Sequence, residues 1–166
     1  MNQEMQFIIT HLKDAYEGDP WFGRSVKAIL AEINDQTAFE KFNGQHSIVE
    51  LIWHMITWRE FTISRLQSSP DKDMQYFEEK DWQNLDHENK SLWHQGLNRL
   101  QETQNGLMGL LEKQEEGLLE KTVDERKYNF RKLLHGLIQH DIYHLGQIAY
   151  IKKITTPIEG SSPLKG

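Results

Sequence analysis

His140 and His144 are four residues apart inside the run Tyr128 to Ile151, which carries helical periodicity throughout. On a helix, residues i and i+4 stack one turn above the other on one face. Two neutral imidazoles so placed can grip one divalent metal. The same spacing also describes two ordinary hydrogen-bonded histidines on a partly buried face. Leu137, Ile148 and Ile151 surround the pair and point it towards a core. A third histidine, His54, borders the inner stripe of a different helical stretch. Packed helices lie about 8–10 Å apart between axes, so side chains from both can meet at one ion. Neutral imidazole suits Zn, Ni, Cu or Fe.

The other histidines fit this scheme less well. His135 precedes His140 by five residues, a rotation about 140° away from it, so it belongs to another face. His46 stands just before a helix start, packed there or at the mouth of a bundle. His11, His87 and His94 read as surface residues. A metal-bound histidine usually donates its second ring N–H to an oxygen. Gln147, three after His144, and Glu50, four before His54, lie on suitable faces, although Glu50 has a competing role as a helix cap. Asp141 is a third candidate for such a role, with a solvated side chain as the alternative. Trp58, four after His54, could wall a pocket, while Trp53 and Phe61 read as packing aromatics.

The chain that must position these groups has 166 residues, enough for one domain with a full core. With no cysteine, any metal must sit on His, Asp or Glu. Its 25 acidic and 19 basic residues give a net charge of −6, which argues against a nucleic-acid partner and lends no support to an anionic membrane. The N-terminus lacks the pattern of a signal peptide and no apolar run is long enough to span a bilayer, so the expectation is a cytoplasmic protein.

Apolar spacing predicts a first helix over residues 2–17, ended by Gly18, Asp19 and Pro20. A short helix from Ser25 to Ile33 and a further turn within 35–42 follow. Ser47 to Glu50 fits a capping box, which opens a long helix to about Leu66. Residues 70–88 read as an ordered loop with room for a short helical turn, a candidate lid pinned by aromatics. A third long helix spans 89 to about 119, weakened by Gly96, Gly106 and Gly109. The fourth contains His140 and His144. Strand alternation is nearly absent, so the fold class is an all-α, four-helix bundle with short additional helices. Residues 1–154 form the domain and 155–166 a loose tail.

The runs GLIQHDIYHLGQI and NGQHSIVELIWHMITWRE together resemble the DinB-like family of metal-dependent proteins. The likeness extends to PWFGRSVKAILAEI and to Asp81-Trp82, covering about residues 5 to 153. It implies a four-helix bundle with a three-histidine metal site, which by motif is His54, His140 and His144. It further implies a divalent metal, Zn or Ni first and Fe or Mn next, and a homodimer. The activities it implies are thiol S-transfer with a low-molecular-weight thiol, or hydrolysis, on a small-molecule substrate. A non-catalytic, stress-associated metal-binding bundle is the alternative.

Three protein ligands leave a coordination position open, the pattern of catalytic rather than structural sites. Either water or a substrate thiol could be activated there. No general base stands out beside the ligands, which favours the thiol route.

Overall fold

The computed structural model describes residues 3–67, 71–115 and 117–155. Among these the fold is all-α. The helices are α1 (Gln3–Glu17), α2 (Val26–Leu30), α3 (Asp35–Phe39), α4 (Ile48–Leu66), α5 (Met74–Lys80), α6 (Ser91–Leu111) and α7 (Phe130–Thr155). A single 3-10 turn covers Leu118–Glu120, and one isolated antiparallel bridge joins Thr122 to Asn129. No described helix is long and apolar enough to cross a membrane.

The long helices α1, α4, α6 and α7 make the bundle. Each of α1 and α4 packs against both α6 and α7. In α1 the residues Met5, Ile8, Ile9, Leu12 and Tyr16 are buried, as their spacing dictates, and Phe7 is left half exposed. Helix α4 is covered further by α3 and α5, so it is buried on most sides. Its start is well specified: the Glu50 carboxylate accepts from the Ser47 backbone N–H at 2.8 Å and the Ser47 hydroxyl at 2.9 Å. Gly96 permits the close approach of α6 to α4, because a Cβ there would lie 3.3 Å from the Trp53 indole nitrogen. That indole donates to the Leu92 carbonyl at 3.2 Å and ties the two helices together.

Two apolar clusters fill the bundle. One gathers Ile48, Ile52, Met55, Trp93, Leu100 and Ile148; the other gathers Ile8, Phe61, Phe77, Leu107, Leu134 and Leu137. Each fully buried side chain of this kind contributes about 1.5–3 kcal/mol relative to exposure.

The structure departs from the sequence expectation at element ends. The third long helix ends at Leu111, not near Leu119, and Gly117, at φ 94°, lets the chain turn into the 3-10 segment. The last helix begins at Phe130, after the Asn129 side chain accepts from the Lys132 N–H at 3.1 Å. Thr155, assigned to the tail from sequence, closes α7, with its hydroxyl on the Ile151 carbonyl at 2.9 Å. Residues 156–166 lie outside the described residues. A larger difference concerns 71–88, where the short helical turn allowed by the sequence is a longer element. This segment contains a real helix, α5, because Asp73 caps it by accepting from the Tyr76 N–H at 2.9 Å, and Met74 and Phe77 bury one turn apart.

Candidate metal centre

Helix α4 supplies His54 and α7 supplies His140 and His144. All three offer ring nitrogens that lie within 4.8 Å of one another, the arrangement a metal ion could share. The His140 Nε2 is 2.9 Å from the His54 Nε2 and 3.1 Å from the His144 Nε2. His54 and His144 are 6% and 4% exposed, while the His140 side chain keeps 25% of its surface.

The far sides of two rings show which nitrogens are free. His54 Nδ1 lies 2.5 Å from the Asp81 Oδ1, and His144 Nδ1 lies 2.6 Å from the Gln147 Oε1. An oxygen acceptor at Nδ1 places the ring proton there, which leaves each Nε2 as a lone pair. His140 sits between them and can carry at most one proton on its own Nε2. It can therefore satisfy only one of its two neighbours. At least one Nε2 lone pair is left facing a ring nitrogen with no proton to accept, which is unfavourable until a cation joins them. Nitrogens bound to one metal at about 2.0–2.1 Å, with angles from octahedral to tetrahedral, are about 2.9–3.4 Å apart, and the observed spacings fall in that range. The donor set fits a divalent ion.

Burial lowers the His54 pKa to about 4, against the opposing pull of the Asp81 carboxylate. Burial also lowers that of His144, with the neighbouring His140 acting in the same direction. Both rings are therefore neutral at neutral pH, the form that binds metal.

Asp81 was not singled out as a site residue from the sequence, and its position follows from α5. That helix is anchored by Phe77, whose ring meets Phe61 edge-on at 5.4 Å. The chain leaves α5 extended at Asp81, and the carboxylate swings onto α4. There its Oδ1 also accepts from the Trp58 indole N–H at 3.2 Å. The signal in the sequence was an Asp-Trp pair directly after apolar residues at helical spacing.

Trp82 follows in the left-handed region, at φ 48°, which is unusual for a bulky aromatic residue. Its indole is held between two imidazoles, stacked at 3.8 Å on His54 and at 3.8 Å on His46. The segment expected to be a loop thus delivers both an acceptor behind His54 and an aromatic cover on its face.

The remaining candidates fall elsewhere. Glu50 does not support His54, because Ser47 and the Lys41 ammonium, at 2.8 Å, occupy its carboxylate. Asp141 is 1% exposed rather than solvated, and is paired with Arg59. His135 meets Glu4 at 3.3 Å, His94 meets Asp35 and His87 approaches Glu50, all away from the three-nitrogen cluster.

A sequence profile of the DinB superfamily matches residues 23–148. No curated protein and no solved structure matches. The match spans α2 to most of α7 and includes His54, His140, His144 and Asp81, so this helical chain belongs to the DinB superfamily.

Proposed function

We propose that this protein is a metal-dependent enzyme in which His54, His140 and His144 hold one divalent ion and a small molecule reacts beside it, by thiol S-transfer or hydrolysis. The observation that carries the reading is the convergence of three Nε2 atoms, two of them on rings already oriented by an oxygen at Nδ1. DinB superfamily members typically bind metal. An all-imidazole set suits Zn or Ni, with Fe or Mn as the other candidates. When bound, such an ion supplies Lewis acidity and lowers the pKa of a coordinated water or thiol.

The chain's own residues do the positioning. Asp81 fixes the His54 ring and places a negative charge behind it, and Trp58 holds Asp81 in place. Gln147 sets the His144 ring. Trp82 shields one face of His54 from water. The carboxylates nearest the histidines are committed, Asp81 to His54 and Trp58 and Asp141 to Arg59. That favours S-transfer, since a thiol arriving as its anion needs no base in the attack step. The chain has no cysteine, so the thiol is a low-molecular-weight one from solution.

The test is metal content by mass spectrometry on protein purified without a histidine tag, beside His54→Ala and His140→Ala. The expected result is about one ion per chain in the parent and none in either variant. Turnover of electrophiles with low-molecular-weight thiols should then vanish in His144→Ala. Metal without turnover, coupled to a large fall in melting temperature on chelation, would assign the ion to bracing the bundle. A parent that takes up no metal after incubation with Zn, Ni, Fe and Mn would remove the proposal.

A further inference from the structure

A cavity of about 250 Å³ runs along the groove between α4 and α7, and His140 is part of its wall. On the α4 side it is bounded by Trp58 and Phe61; on the α7 side it passes from Lys132 over Gly136 to His140. Lys132 and His140 are eight residues apart, so the two ends are separated by about 12 Å along the helix.

Several features mark this groove as a place for a ligand. Gly136 lies inside α7, where glycine costs about 1 kcal/mol relative to alanine. No packing demand explains it, because a Cβ there would meet nothing within 4 Å. The missing side chain leaves the floor of the groove open. Lys132 at the far end is exposed, and among the described residues it pairs with no carboxylate; its ammonium lies 5.7 Å from the Tyr128 ring. The lining between the ends is aromatic and aliphatic. At the near end His140 is the least restrained of the three converging imidazoles. Its Nδ1 is buried without a hydrogen-bond partner, and the nearest carboxylate, on Asp141, is 4.0 Å away and already taken by Arg59.

We infer that this groove binds the substrate, and that the substrate is a compact apolar molecule carrying an anionic group. The apolar body lies over Gly136 against Trp58 and Phe61. The anion pairs with Lys132, and the reacting end reaches His140. The assignment of the reacting end rests on the metal-dependent reading above; the preference for an anionic, apolar ligand does not. Typical pockets for drug-sized ligands run about 300–1,000 Å³, so this one admits only a small molecule.

The two ideas can be tested separately, with octanoate and octanol as probes measured by titration calorimetry on metal-loaded and metal-free protein. Octanoate should bind the metal-free parent about two- to fivefold more tightly than octanol, within the range of an exposed ion pair. Lys132→Met should abolish that preference and leave octanol binding unchanged. Gly136→Leu should abolish binding of both probes by filling the groove, with metal content the same as in the parent. Gly136→Ala, which favours the helix, should keep the fold and show whether lost binding comes from filled space. Equal binding of the two probes by the parent, or undiminished binding in Gly136→Leu, would overturn the inference. The expected probe pattern in a chain that takes up no metal would uphold the groove and remove the enzyme reading alone.

Discussion

Helices α4 and α7 meet at two polar clusters only a turn apart, and the two have opposite characters. In the first, Arg59 and Asp141 are each 1% exposed and face each other squarely, Nη2 to Oδ2 at 2.7 Å. The remaining Arg59 fork donates to the Gln104 Oε1 on α6 at 2.8 Å, and Gln104 reaches the Leu12 carbonyl on α1. This layer touches all four long helices and lies between the two apolar clusters. Burial alone would raise the Asp141 pKa, yet the Arg59 guanidinium overrides it and holds the carboxyl below its ordinary value. In the second cluster, His54, His140 and His144 present nitrogens to each other with too few protons to bond them all. One cluster is closed by protein alone and the other is completed only by something added. Burial and polarity are common to both, so neither marks function; the unfilled valence does.

The largest effect should come from breaking the closed cluster. Asp141→Ala leaves a buried guanidinium without its partner, which costs about 3–5 kcal/mol. Denaturant unfolding of the metal-free variant should show that loss. The paired change Arg59→Met with Asp141→Leu should recover part of it, since an apolar pair of similar volume is often neutral or better, while the buried Gln104 Oε1 loses its donor. If Asp141→Ala stays within about 1 kcal/mol of the parent, the layer is not the structural element described here.

An intermediate effect should come from loosening the open cluster from behind. Asp81→Asn keeps the shape but removes the charge opposite His54 Nδ1. Metal affinity should fall about 10–100-fold, as for other acceptors behind a ligating histidine. The melting temperature of the metal-free variant should stay close to the parent's, because Asp81 closes no part of the apolar core. Competition with a chelator of known strength measures the first, and a thermal scan the second. An unchanged affinity would show that Asp81 only caps the exit of α5.

Much of this was legible beforehand, for physical reasons that differ by element. Apolar periodicity made the long helices readable, and Ser47 with Glu50 fixed the start of α4 because a capping box is local. The three histidines were readable because a helix converts a spacing of four into a shared face. Asp81 was harder, since its role depends on where α5 docks, which is set by Phe77 on Phe61 and by no local pattern. Asp141 was hard to read for a similar reason. Next to a histidine it looks like a solvated neighbour, and only the packing of Arg59 from another helix reveals a buried pair. Glu50 had two plausible uses, and the nearer partners, Ser47 and Lys41, took it.

The smallest effect concerns that cap, and pH sets it apart from the open cluster. Burial would raise the Glu50 pKa, but the Lys41 ammonium and the Ser47 N–H and hydroxyl hold it at about 2. Unfolded, the same carboxyl has a value of 4.5. Because the folded value is the lower, the cap stabilises the protein above about pH 4.5 and loses its contribution as pH falls from there towards 2. Glu50→Gln should therefore cost about 1 kcal/mol at neutral pH, the usual worth of a cap. The difference between parent and variant should stay constant down to about pH 5 and shrink below it. Taking the difference cancels the titration of His54 and His144, which are common to both proteins. A difference that instead changes between pH 7 and 5 would mean that Glu50 is coupled to the histidines beside it, His46 at 3.9 Å and His87 at 3.4 Å, and that the cap does not act alone.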